Sequence, residues 1–191
     1  MRKIINPALL ALVLFGSGSG LKAAEWVLDP FLTQVIFEYS YNSDPYRGVF
    51  AGVEANFLFD LANPEACQFD VTINIEDIEV DSPEVLDYLH DYEMFDVDTW
   101  PTATFSVEKC RLTGLTSFES EGTLTIRDQT NPITFPFELS MENCDGEICF
   151  HLTSEVEILR LEYGVGQGYW ANTSEIPNEV KVIVDTVAVQ L

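Results

Sequence analysis

Between Leu115 and Met141 the sequence alternates in twos. Phe118, Gly122, Leu124 and Ile126 fall on one side, with Glu119, Glu121, Thr123 and Thr125 on the other. After Arg127-Asp128-Gln129-Thr130-Asn131-Pro132 the alternation resumes. Ile133, Phe135, Phe137, Leu139 and Met141 now oppose Thr134, Pro136, Glu138 and Ser140. Period-two alternation on both sides of a polar, Asn-Pro-containing break predicts an antiparallel β-hairpin with one buried and one wet face. Pro136 has no N–H to give, so a bulge or a weakly paired edge is expected there. A face this wide and aromatic has to meet other strands of its kind.

The rest of the chain supplies them. Thr33–Tyr41, Gly48–Asp60, Phe69–Val80, Thr102–Arg111, Ile148–Ile158 and Val180–Leu191 all read as strands. Between Ile75 and Ile78 the parity of the apolar positions flips, which predicts a bulge near Asp77. Ser82-Pro83 marks the start of a short helix running to about Glu93, with Ser82 as N-cap and Pro83 at the first helical position. Eight strands at short spacing, with one helical insertion, predict an all-β fold: an eight-stranded antiparallel up-and-down barrel. A two-sheet sandwich is the alternative.

Residues 1–24 read as a signal peptide: basic Arg2 and Lys3, an apolar Ile4–Phe15 core too short to span a bilayer comfortably, then a small-residue run. Cleavage is expected within 20–24, leaving one domain over 25–191 in the periplasm or outside the cell. Four cysteines fit an oxidising compartment. Cys144 and Cys149 flank Asp145-Gly146, a hairpin-turn dipeptide, so they lie close in any register. That leaves Cys67 to pair with Cys110. A metal site is the competing reading, but these spacings are not ligand pairs and only His90 and His151 could assist. Loss of the leader removes Arg2, Lys3 and Lys22 and leaves 6 basic residues against 32 acidic, a formal charge of −26. Such a field repels nucleic acid and anionic membrane surfaces.

Several short runs, in this order, resemble the YceI-like, polyisoprenoid-binding family of exported proteins. They are Trp26-Val27-Leu28-Asp29, Gly48-Val49-Phe50, and Met94-Phe95-Asp96-Val97 with Trp100-Pro101 and Ala103-Thr104-Phe105. Gly122–Ile126 with Thr130–Ile133, and Arg160 with Tyr163-Gly164, complete the set. Tyr88 stands where the family's pattern has a histidine. The resemblance implies a lipocalin-like barrel that holds a long-chain isoprenoid or similar amphiphile in its lumen. The residues themselves lead us to expect no catalytic or metal centre and no cofactor beyond a bound isoprenoid lipid or quinone. Homodimers are common in that family.

An eight-stranded barrel has an interior just wide enough to be filled by side chains or by one slender ligand. The residues expected to line a ligand-holding lumen are Phe37, Tyr39, Phe57, Phe105, Phe135, Phe137 and Phe150. The alternative is a plain filled core in an interaction protein without a ligand. Arg160 is the candidate for a head group, with an ion pair to Glu162 as its structural alternative and Arg47 and Arg127 as further cations at the mouth. The acidic surface favours a neutral head, quinone or amide, over a prenyl phosphate. An enzyme would have to rely on His151 or Tyr163, for which no nucleophile–base motif exists in the sequence.

Overall fold

Each run of alternation becomes a strand, because each has one apolar face to bury and β-branched or aromatic residues to fill it. The computed structural model describes residues 24–191, so the leader expected over 1–24 falls almost wholly outside the described residues. The strands are β1 (Ala24–Leu28), β2 (Gln34–Tyr41), β3 (Asp44–Phe59), β4 (Gln68–Glu79), β5 (Thr102–Leu112), β6 (Ser117–Ile126), β7 (Gln129–Cys144), β8 (Glu147–Leu159) and β9 (Glu179–Gln190). One helix, α1 (Pro83–His90), interrupts them. It stops at His90, one turn short of the expected Glu93.

From β2 to β9 each strand pairs antiparallel with its sequence neighbour, and β9 returns to β2, so the meander closes into an eight-place barrel. Nine strands share those eight places. The segment ahead of the first expected strand is also part of the wall: β1 and β2 lie end to end between β3 and β9. Trp26 and Leu28, two positions apart, both turn inward and are buried.

The hairpin expected between Leu115 and Met141 is present, but its turn is tighter than expected. Ile126 pairs with Gln129, so only Arg127 and Asp128 form the turn, and Thr130–Pro132 belong to β7. Arg127 adopts a left-handed φ of 55° there. Its guanidinium is held from outside the hairpin, as described below. Pro136 stays in register opposite Glu119, while pairing of β7 with β8 begins only at Glu138. The imino nitrogen thus costs the β8 ladder rather than the β6 ladder. The bulge near Asp77 is present, with pairing stepping from Phe50↔Ile78 to Gly52↔Asn74.

The core divides into two clusters along the barrel axis. At the end that holds Ala24 and Leu191, Trp26, Phe57, Phe59, Phe69, Phe118, Phe137 and Phe150 interlock. Their ring centroids lie 5.1–5.4 Å apart in the closest pairs, such as Trp26–Phe150, Phe57–Phe69 and Phe118–Phe137, edge-to-face or offset as ring quadrupoles favour. The Trp26 indole N–H donates to the Phe59 carbonyl at 3.1 Å. This aromatic plug closes one end as a floor.

Two disulfides, Cys67–Cys110 and Cys144–Cys149, staple the same end, which sets aside the metal-ligand reading of the cysteines. Cys67–Cys110 spans 43 positions, and removing a link over a loop of that size costs about 2–4 kcal/mol. The Cys67→Ala/Cys110→Ala variant is therefore expected to lose that much in reversible denaturation. The Cys144→Ala/Cys149→Ala variant, with a separation of 5, is expected to lose less.

Candidate functional site

Above the floor the barrel is hollow. A cavity of ≈ 190 Å³ runs up the lumen with an entirely apolar exposed wall. Four successive inward positions of β4 (Phe69, Val71, Ile73, Ile75) and four of β9 (Val180, Val182, Val184, Thr186) line it. Six residues of strand span ~20 Å, or ~15 Å of axis at the usual tilt of barrel strands. The space is therefore elongated. Engineered apolar cavities of about 150 Å³ stay dry and take up benzene-sized molecules; this one is larger and longer.

Of the residues expected to line a lumen, Phe37, Tyr39, Phe57, Phe105 and Phe135 do face this cavity. Phe105 and Phe135 are only half-buried although they point inward, because the space before them is unfilled. Phe137 and Phe150 are placed differently. They are 3% and 1% exposed and belong to the floor. Alternation assigns a residue to the inner face but says nothing of its depth along the axis, and these two lie one layer too deep.

Arg160 borders the cavity as expected, but its guanidinium is already committed. It is 5% exposed and ion-pairs with neither Glu162 nor a ligand-facing group. Its Nε donates to the Pro177 carbonyl at 2.9 Å and Nη1 to Val165 at 3.0 Å. Nη2 donates to Trp170 and to Ile176, both at 2.8 Å. Burial pushes its pKa down, yet guanidinium stays charged in proteins. Arg160 thus knits the segment 160–178 into a cap over the end opposite the floor. Gly166, with φ of +89°, passes so close to Nη1 that no Cβ would fit.

Arg127 acts on the other half of the cap. Its Nη1 donates to the carbonyls of Met94 and Gly164 at 2.6 and 2.7 Å, Nη2 lies 3.7 Å from Asp96, and the guanidinium stands 4.9 Å over the Trp100 ring. Leu89, Met94, Phe95, Val165 and Ile176 form the underside of this cap. Of the three arginines considered for a mouth, only Arg47 is exposed, and it sits opposite Glu38 on the outer wall. No arginine presents a free charge to the lumen among the described residues.

Other candidate residues lie elsewhere. His151 is on the outer wall, 2.7 Å from Asp185 and 3.5 Å from Glu142. Tyr88 is exposed, donates to Glu84 at 3.2 Å and packs on Trp170 at the rim. Tyr163 is buried beneath the cap. Burial raises the pKa of Tyr163 and of lumen-facing Tyr39 above the ordinary 10.0, helped by Glu162 in one case and Tyr46 in the other. Their folded hydroxyls hold protons more tightly than the unfolded chain does. This contribution to stability is complete below about pH 10 and fades as pH rises through the folded values. The alkaline fall in denaturation midpoint is expected to be shallower in a Tyr39→Phe/Tyr163→Phe variant.

A family model for the YceI-like domain matches residues 26–188. The chain belongs to the YceI-like domain family. Protein YceI of Salmonella newport is 28% identical to this YceI-like domain over 148 residues, 76% of each chain. Among solved structures, Burkholderia cenocepacia BcnA superimposes with a TM-score of 0.74 at 23% identity, covering 84% of this chain and 98% of that one. A polyisoprenoid binding domain from Saccharophagus degradans, implicated in plant cell wall breakdown, gives a TM-score of 0.68 at 13% identity, covering 88% and 99%. At those identities the two structures speak for the fold of the YceI-like domain: a closed antiparallel barrel with one helix.

Proposed function

We propose that this YceI-like domain is an exported binding protein that holds a polyisoprenoid, or a similar long-chain amphiphile, in its lumen for transport or storage. One observation carries the reading: the lumen is an elongated, wholly apolar space that the protein's own side chains leave unfilled. Family membership and the likeness to a polyisoprenoid binding domain support the same ligand class. Each buried methylene is worth about 0.8 kcal/mol, so a prenyl tail supplies ample affinity before the ~18–21 kcal/mol at which non-covalent binding saturates. Selectivity then has to come from the length of the lumen. A tail longer than ~15 Å must fold back or protrude, and affinity is expected to rise with each prenyl unit and then level off.

The head group is neutral, of quinone or amide type. A phosphate would need a cation, and Arg160 and Arg127 already spend their donors on cap carbonyls. Outside, a formal charge of −23, or −26 once the leader is removed, opposes any anion. Mass spectrometry of the organic extract of protein purified from an expressing bacterium tests both parts. One neutral prenyl lipid per chain is the expected result. An empty extract, with no uptake of added lipid, contradicts the carrier reading. Tight prenyl phosphate binding without quinone binding contradicts the neutral head.

A further inference from the structure

Backbone pairing around the barrel is interrupted in two intervals, between β7 and β8 beyond Glu138↔Thr153 and along one edge of β3. β2 pairs with β3 no further than Ile36↔Val49, and β1 takes up the same edge of β3 only at Val27↔Asn56. Residues Phe50–Ala55 of β3, ~20 Å of strand, therefore have no ladder partner on that edge among the described residues. The other neighbour shows no such interval. β2 pairs with β9 as far as Gln34↔Asp185, β1 resumes at Leu28↔Ala188, and the Asp29 N–H donates to the Val187 carbonyl at 2.8 Å between them. The β1–β2 junction stays with β9 and parts from β3, so the wall has a seam.

This seam leads to the cavity. Leu28, Thr33 and Val35 on one bank and Phe50, Val53 and Ala55 on the other all line it. Along this edge Ala51 and Glu54 are exposed and Val53 is only half-buried. Beside the seam, Asp29 locks a turn: its carboxylate accepts the Phe31 N–H at 2.9 Å, and its carbonyl accepts the Leu32 N–H at 3.2 Å and the Thr33 hydroxyl at 2.7 Å. That turn holds Phe31 94% and Leu32 52% exposed.

Across the β7–β8 interval the Ser154 hydroxyl still ties the strands by donating to the Pro136 carbonyl, and the two ends of the barrel offer no comparable path. The floor is interlocked aromatic rings, and opening the cap breaks the carbonyl bonds of Arg160 and Arg127. The seam has no backbone ladder to break. A fixed apolar pair beside an unladdered wall of a greasy cavity would let an insoluble tail pass from lipid to protein with little exposure to water. The charge selects the membrane, since an anionic leaflet repels a chain of formal −23 and a zwitterionic one does not.

We propose that the ligand tail is loaded and released sideways through this seam while Phe31 and Leu32 rest in a neutral bilayer; the proposal rests on the lipid-binding reading above. The test follows transfer of a fluorescent farnesyl amide from phosphatidylcholine vesicles to the protein. Phe31→Asp/Leu32→Asp is expected to slow transfer at least tenfold while leaving equilibrium occupancy unchanged. Gln34 and Ala51, exposed on opposite banks, would be partners if the Ile36↔Val49 register continued. Gln34→Cys/Ala51→Cys bridged by a short bis-maleimide is expected to stop both loading and release, and the same variant without the bridge to behave as wild type. Equilibrium binding with rates untouched by either change overturns the seam and leaves the lumen reading standing. No uptake by the wild-type protein overturns both.

Discussion

Val182→Trp is expected to weaken binding of a neutral prenyl lipid by at least about 100-fold, or about 2.7 kcal/mol, while Ile183→Trp leaves it unchanged. Val182 is the second of the four β9 positions that line the cavity; Ile183 is the next residue and faces the outer wall. An indole at position 182 enters space that the fold leaves empty, so it excludes ligand without the strain of overpacking a filled core. Excluding three or four methylenes at about 0.8 kcal/mol each accounts for the loss. Equilibrium titration gives the affinity, and denaturation of the ligand-free proteins should agree within about 1 kcal/mol. Equal affinity in the two variants would mean that the ligand does not occupy the lumen.

The second large effect is on the cap. Arg160→Leu is expected to destabilise the protein by about 3 kcal/mol or more, since it strands the carbonyls of Val165, Trp170, Ile176 and Pro177 that the guanidinium satisfies. A buried acceptor left without a donor costs about 1–3 kcal/mol. Arg160→Lys is expected to recover little, because an ammonium donates from one point and cannot span four carbonyls arranged around a planar fork. Hydrogen exchange should quicken first at Gly164–Asn178 and spare β4–β7. Full stability in Arg160→Lys would show that charge, not geometry, is what the cap needs.

These two residues also mark the limit of what the primary structure discloses. The wall was legible because strands declare themselves locally: Phe69, Val71, Ile73 and Ile75 could only be one face of a sheet, and Ser82-Pro83 could only open a helix. Cys144 and Cys149 were readable from the turn between them. Depth was not. Phe135 and Phe137 are two residues apart on one face, yet the first meets empty space and the second is floor, a distinction set by strands distant in sequence. The carbonyl partners of Arg160 left no side-chain signal, and Gly166 was the single hint that something large passes nearby. The Arg127–Asp128 turn carries no Gly or Asn to announce it, because Arg127 is held in its left-handed conformation by bonds to Met94 and Gly164 across the cap.

The central claim is that a prenyl chain occupies the space enclosed by the strands. Nuclear Overhauser contacts between the methyl groups of a bound neutral prenyl lipid and methyl-labelled protein test it directly. The predicted result is contact with Ile73, Ile133 and Val182, which line the cavity, and none with Leu112 or Ile148, which are exposed on the outside. Contacts confined to such outer residues, with the signals of Ile73, Ile133 and Val182 unmoved at saturating lipid, would contradict it.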